Sequence, residues 1–314
     1  MIYTSSQNWY NWSYNGEKFS RSFSKEDVFS TAFEIDSVSV GTFRQELLSA
    51  SKDILDHYPG LRPCIMFSGG IDSEIVLRSF LEIGADPEVC IFRYENDYNM
   101  YDVSYAVTVC SMLDVKYRII DFSLKNYYEQ EAETISENAQ IDRAMVLPQL
   151  KFMEYTDGLP IYSEGVPSWN RTDDDYSKQG TWLMSCWEHD IGWSKYMIYK
   201  NRPAVMEYFK WSPSLMTAWN NTTWIKKLIN DEYYGKLGTN STKIIGYREA
   251  YPDLLERKKK TGFENCQDLI LEFENFLEKK YNGFTFRRHY DRNYDQLLSD
   301  LCQNLTVSPL NLDR

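Results

Sequence analysis

Pro63-Cys64-Ile65-Met66-Phe67-Ser68-Gly69-Gly70-Ile71-Asp72-Ser73-Glu74-Ile75-Val76-Leu77-Arg78-Ser79-Phe80-Leu81 is the stretch on which the reading of the fold turns. Cys64 to Phe67 is apolar and of strand length. Gly69-Gly70 makes a turn, and apolar residues then recur at Ile75, Val76, Leu77, Phe80, Leu81 and Ile83 with roughly helical spacing. This pattern predicts a buried strand that feeds a helix N-terminus through a short loop. Such a loop suits a phosphate. Two adjacent glycines let the backbone approach an anion closely, while the first N–H groups of the helix and its dipole bring positive charge to the same point. Ser68 and Ser73 add hydroxyls, and Asp72 adds a carboxylate. A carboxylate beside a phosphate repels it unless it orients donors or holds a metal ion, so Asp72 argues against a merely polar turn. The plainer reading makes Gly-Gly a loop and Asp72 and Ser73 helix caps.

Outward from this unit the pattern repeats. Val89 to Phe92 reads as a strand, Tyr101 to Leu113 as a helix, and Tyr117 to Phe122 as another strand. Strands alternating with helices predict right-handed crossovers in a parallel sheet with helices on both faces, an α/β Rossmann-like fold. In such sheets ligands lie at the carboxyl ends of the strands, which places Ser68 to Ser73, Arg93, Tyr94 and Asp121 along one edge. Upstream, Thr42 to Tyr58 has helical spacing and is ended by Pro59-Gly60. Downstream, Glu129 to Tyr155 reads as mostly helical around Pro148, and Leu159 to Tyr162 as a short strand running into Ser163-Glu164-Gly165. The first 40 residues alternate aromatic and polar side chains around Asn15-Gly16, a hairpin signal, and predict a small antiparallel β cap. Residues 176–250 are rich in tryptophan without a fixed period and predict a packed, substrate-facing helical region. Leu269 to Tyr281 predicts an amphipathic helix, and residues 283–314 a tail. The expected division is therefore 1–40, 41–282 and 283–314.

Composition narrows the classes of function. The net charge of −12 disfavours non-specific binding to nucleic acid, which rests on clustered Lys and Arg. No basic-then-apolar leader and no apolar run long enough for a membrane span is present, so a cytoplasmic protein with no membrane partner is expected. The six cysteines are scattered and include no Cys-x-x-Cys, which gives little support to a disulfide framework, structural zinc or an iron–sulfur cluster. His57 and His189 stand in no ligand pattern. Against this acidic background the four consecutive cations Arg257-Lys258-Lys259-Lys260, before Thr261-Gly262-Phe263, stand out. The plain reading is a solvated basic turn.

Ser68-Gly69-Gly70-Ile71-Asp72-Ser73 is similar to the SGGxDS signature of the N-type ATP pyrophosphatases, or PP-loop enzymes, which include asparagine, GMP, NAD and argininosuccinate synthetases and tRNA-modifying enzymes. It lacks the Gly-Lys-Ser/Thr of a Walker A loop. The late basic stretch resembles the Arg-x-Lys-x-Gly-Phe motif of asparagine synthetase-like enzymes; alignment on Gly262-Phe263 places the motif's lysine on Lys260 and the cation before it on Lys258. The resemblance covers about residues 45–275. It implies cleavage of ATP between the α- and β-phosphates, with ATP and Mg2+ required. A substrate carboxylate is adenylated, and ammonia or an amine then displaces AMP to form an amide. It further implies nucleotide contacts from Ser68, Gly69, Gly70, Asp72, Ser73, Phe92, Arg93 and Lys258, catalytic roles for Asp72 and Lys260, and metal binding by Asp72 and Glu164. A lysine preorganised against departing pyrophosphate stabilises charge that develops in the transition state. Of the family's Gly-Glu/Asp-Gly-x-Asp-Glu loop only Glu164-Gly165 remains, with Asp173-Asp174-Asp175 a few residues on as a second candidate or a solvated loop. The glutaminase domain of glutamine-using members is not expected in the first 40 residues, so nitrogen would come from ammonia, an amine or a glutaminase in trans. Two other readings stand beside this one: adenylation of a nucleobase or nucleotide carbonyl followed by amination or thiolation, and a nucleotide-binding protein without catalysis.

Overall fold

Strands that are apolar at successive positions must be covered on both sides. The computed structural model describes residues 3–4, 10–14, 29–33, 40–139, 141–164, 166, 168–171, 182–185, 193, 196–197, 199–229, 239–257 and 261–283. Strands β1 (Tyr3–Thr4), β2 (Tyr10–Tyr14) and β3 (Phe29–Phe33) form a three-stranded antiparallel sheet in that order. Strands β4 (Pro63–Met66), β5 (Glu88–Tyr94), β6 (Tyr117–Phe122) and β7 (Leu159–Ile161) form a parallel sheet in the order β6-β5-β4-β7. Strands β8 (Ser168–Arg171) and β9 (Trp182–Ser185) form an antiparallel pair. Helices α1 (Phe43–His57), α2 (Ile71–Glu82) and α3 (Met100–Met112) precede or link the first three strands of the parallel sheet. Helices α4 (Leu124–Gln130), α5 (Ala132–Ala139) and α6 (Leu147–Leu150) fill the return to β7. Helices α7 (Pro213–Asn220), α8 (Thr223–Ile229), α9 (Thr239–Ala250) and α10 (Gln267–Lys280) follow.

Side-chain alternation sorts the core into two layers. Ile65, Phe67, Val89, Ile91, Leu159 and Ile161 face α1 to α3 together with α7, Trp224 and Ile225 of α8, and α9. Cys64, Cys90, Phe92, Tyr94, Ile120 and Phe122 face α4 to α6 and α10. Helices on both faces of a parallel sheet are what the sequence pattern predicts. Helix α1 starts at a capping box, Thr42 accepting from the Gln45 backbone while the Gln45 side chain accepts from the Thr42 N–H.

Two expectations are corrected. β2 and β3 are not joined by a two-residue turn: their register sets Tyr14 opposite Phe29, and Asn15-Gly16, the expected turn, lies outside the described residues. Residues 176–250 are not wholly helical, because Trp182–Ser185 is a strand set against Ser168–Arg171. A run of three apolar residues, Trp182 to Met184, has no periodicity of its own, so its pairing partner decides its conformation. Of the tail, residues 284–314 lie outside the described residues.

The strand order fixes where a ligand can enter. From β4 the chain moves outward through β5 to β6, then returns to the other side of β4 as β7. Loops leaving β4 and β7 therefore diverge at their carboxyl ends and open a crevice between them, the topological switch point of an open α/β sheet.

Candidate active site

The Ser68–Gly70 loop sits at that crevice. Gly69 has φ +78°, and a Cβ there would lie 2.1 Å from the Asp102 carbonyl oxygen, so glycine is required by both conformation and space. Gly70 is the N-cap of α2, with extended backbone and no capping side chain. Its N–H donates to Ser68 Oγ at 3.2 Å, Ser73 Oγ donates to the Gly70 carbonyl at 3.0 Å, and the two serine hydroxyls are 3.1 Å apart. Thus neither Asp72 nor Ser73 caps the helix. The serines close the loop on itself, and the first N–H groups of α2 keep no intrahelical partner.

A cleft of about 150 Å3 opens over the loop. Ser68 and Gly70 form its floor, Phe92 and Tyr94 one wall, Ser163 and Glu164 after β7 the opposite wall, and Thr261 to Phe263 its edge. Asn99 fastens the end of β5: its side chain donates to the Phe92 carbonyl and accepts from the Tyr94 N–H, both at 2.8 Å. Asp102, in the first turn of α3, meets Gly69 through its carbonyl, and its carboxylate comes within 3.2 Å of a Cβ placed on Gly262, itself at φ +79°. The start of α3 is thus a wedge between the glycine loop and the late Gly262 turn.

Asp72 lies in the first turn of α2, with its side chain about one-third exposed at 32%. Both carboxylate oxygens are 3.2 Å from Lys243 Nζ, and Oδ1 also accepts from the Tyr247 hydroxyl. Lys243 and Tyr247 stand one turn apart on α9, so one face of that helix reads Asp72. Tyr247 is fully buried against Phe43 and Trp219. Burial first, then the Asp72 carboxylate and more distantly Glu164, push its hydroxyl far above the usual tyrosine range, so it is a donor at neutral pH. Glu164 is thus near enough to act on this hydroxyl electrostatically, while Asp72 is bonded to it.

Two residues on, Glu74 is fully buried. Arg78 Nε donates to it at 2.7 Å and Arg257 donates to its other oxygen, while Arg78 also reaches Asp253 at 3.0 Å. Arg257 therefore pins the start of the basic stretch to α2, and its end, at Gly262, lies beside Asp102 of α3. Lys258, Lys259 and Lys260 between them lie outside the described residues, as do Gly165 and Asp173-Asp174-Asp175.

Of the residues expected at the site, Ser68, Gly69, Gly70 and Ser73 form the loop, Phe92 and Glu164 line the cleft, and Asp72 stands at the helix start. Arg93 is directed elsewhere. It lies between Phe92 and Tyr94, so its side chain leaves the opposite face of β5, where it pairs with Asp121 of β6 at 2.6 Å. Sequence reasoning missed Asn99, Asp102, Lys243, Tyr247 and Trp193. Trp193 is buried at the cleft with its ring edge-on to Tyr162, centroids 4.6 Å apart. Asn99 before a helix offered a weak signal; the others become partners of the site only through tertiary contact.

No family model matches the chain, and no curated protein matches it. Among solved structures it is similar to a glutamine-dependent NAD+ synthetase from Acinetobacter baumannii in complex with ADP, with 14% identity over 49% of this chain and 30% of that one, TM-score 0.31. An NMN synthetase from Francisella tularensis aligns with 16% identity over 76% and 94% of the two chains, TM-score 0.31. An NH3-dependent NAD synthetase from Campylobacter jejuni aligns with 13% identity over 69% and 98%, TM-score 0.32. Likeness of this degree leaves the reading of the site to its own geometry. Among the described residues no helix is long and apolar enough to cross a membrane.

Proposed function

We propose that the chain is an ATP-dependent, AMP-forming ligase of the PP-loop kind, in its asparagine synthetase-like form. It adenylates a substrate carboxylate and passes the acyl group to ammonia or an amine, supplied free or by a glutaminase in trans. The observation that carries this reading is the convergence at one switch-point crevice of the uncapped Ser68–Ser73 loop, Glu164, and the Thr261-Gly262 turn that follows Lys260. A glycine loop opening onto free helix N–H groups recognises phosphate through backbone donors rather than through a Walker lysine. At about 150 Å3 the cleft is smaller than the roughly 300–1,000 Å3 of sites that enclose a drug-sized ligand. It accepts one part of a nucleotide, a base or sugar against Phe92 and Tyr94, with the phosphates lying over the loop.

Within this reading each residue has a task. The loop N–H groups and serine hydroxyls bind and orient the phosphates. Lys260, adjacent to Thr261 at the cleft edge, stabilises the charge of departing pyrophosphate, with Lys258 contributing to phosphate binding. Asp72 and Glu164 are oxygen donors of the kind that Mg2+ takes, and a bound ion would supply further neutralisation of phosphate charge. The Tyr247 hydroxyl fixes the orientation of the Asp72 carboxylate.

The test is product analysis with labelled ATP, Mg2+, ammonia and a panel of carboxylates, comparing wild type with Lys260→Ala. Substrate-stimulated AMP and pyrophosphate, lost in the variant, is the expected result. ADP and phosphate would overturn the reading, and tight ATP binding without turnover across the panel would replace it with a binding protein.

A further inference from the structure

The parallel register of β4 and β5 brings together two cysteines that are far apart in the chain. Cys64 pairs with Glu88 and Met66 with Cys90, so Cys64, Glu88 and Cys90 share one face of two adjacent strands. The sulfurs of Cys64 and Cys90 are 3.8 Å apart, and Cys90 Sγ is 3.4 Å from Glu88 Oε1. All three potential ligand atoms lie within 4.8 Å of one another. Both cysteines are fully buried and free. We infer that Cys64, Cys90 and Glu88 form a zinc site that staples the central strands of the sheet beneath the glycine loop.

The distances suit the ion. With Zn–S of about 2.3 Å and Zn–O of about 2.0 Å, a tetrahedral centre requires ligand separations of roughly 3.8 Å between sulfurs and roughly 3.5 Å between sulfur and oxygen. The Cys64–Cys90 and Cys90–Glu88 separations match these edges, and the Cys64–Glu88 edge lies within 4.8 Å. Outer contacts of the sort that orient metal-bound carboxylates are already in place. Arg118 donates to Glu88 Oε1 at 2.6 Å and to Cys90 Sγ at 3.4 Å, while Thr156 Oγ1 donates to Glu88 Oε2 at 3.0 Å. Charge also closes: two thiolates and a carboxylate offset the ion and the Arg118 guanidinium, leaving the cluster neutral, as it is with both thiols protonated.

Binding forms two Zn–S bonds and one Zn–O bond to the protein, keeps one water of the entering ion as the fourth ligand, and releases the two thiol protons to solvent; no electron moves. Two thiolates favour a thiophilic ion over Mg2+ or Ca2+, and the carboxylate favours zinc over copper(I). Because both sulfurs are sealed from solvent, the ion enters while the sheet is forming. The site is independent of the nucleotide reading, since its ligands lie in the first halves of β4 and β5 and none of them lines the cleft.

The experiment is metal analysis of the full-length protein refolded with and without excess zinc, together with cobalt(II) substitution. Wild type is expected to hold about one zinc per chain, and its cobalt form to show thiolate-to-metal charge-transfer absorption. Cys90→Ser and Cys64→Ser should fall to below one-tenth of that zinc while keeping the wild-type circular dichroism. Cys110→Ser, an equally buried cysteine outside the cluster, should retain it. Glu88→Gln should weaken zinc at least tenfold. Folded wild type carrying less than one-tenth of an equivalent after refolding in zinc overturns the inference. So does preferential copper(I) uptake, or loss of two titratable thiols to a Cys64–Cys90 disulfide.

Discussion

Asp72 and Glu74 are two residues apart in the first turn of one helix, are both carboxylates, and are both held by cations, yet they serve different ends. Glu74 is fully buried, and the guanidiniums of Arg78 and Arg257 close on it from two directions. Asp72 is about one-third exposed, and its partners are a flexible ammonium, Lys243, and a hydroxyl. A buried carboxylate between arginines can do nothing but hold elements together. An accessible one held by a lysine can exchange that partner for a metal ion. The pair shows how one turn of helix supplies both the structural and the chemical carboxylate of a site.

The sharpest way to break this contrast is to neutralise each in turn. Glu74→Gln takes its carboxylate from the buried Arg257 and leaves Arg78 with Asp253 alone, and should cost about 3–5 kcal/mol in urea unfolding. Asp72→Asn should change stability by less than about 1 kcal/mol yet lower AMP formation about 100-fold. Equal losses of stability in the two variants would erase the distinction. A second comparison uses glycine. Gly69→Ala combines positive φ with a Cβ 2.1 Å from the Asp102 carbonyl, and should cost about 2–4 kcal/mol in thermal or urea unfolding. Gly84→Ala, at φ +79° with open space around it, should cost only about 1–2 kcal/mol. The difference between the two measures how tightly the loop is wedged against α3.

How much of this could be read from the chain differs between strands and partners. The parallel sheet was legible because its signals are local: Tyr117–Phe122 is found as the spacing predicts, and α1 and α3 fall within one residue of their expected bounds. Glycine 69 and the two serines were legible for the same reason, since loop geometry is written in adjacent residues. Lys243 and Tyr247 were not legible, because nothing near them in sequence marks a partner of Asp72; the contact exists only once α9 packs beside α2. The Cys64–Cys90 meeting depends on the register of two strands, which spacing alone does not set. Arg93 shows the converse error, a residue at the correct strand end whose parity turns it away from the cleft.

The smallest effect concerns the far face of the sheet. Burial alone would raise the Glu154 carboxyl, but hydrogen bonds from Lys151 and Lys200 together hold it below the usual glutamate range. Its contribution to stability is therefore present above the unfolded value of about 4.3 and is lost as pH falls through the lower folded value. In acid titrations of stability, Glu154→Gln should flatten this limb by less than about 1 kcal/mol. A limb of unchanged slope would show that the charges there are decorative.

The central claim is that Asp72 belongs to an adenylating site. It is tested most directly by following labelled ATP with Mg2+, ammonia and the carboxylate panel for wild type and Asp72→Asn, with the unfolding curve of each measured alongside. The account predicts AMP and pyrophosphate from wild type, and a folded, equally stable Asp72→Asn protein that produces almost none. A folded Asp72→Asn protein that forms AMP at the wild-type rate would contradict it.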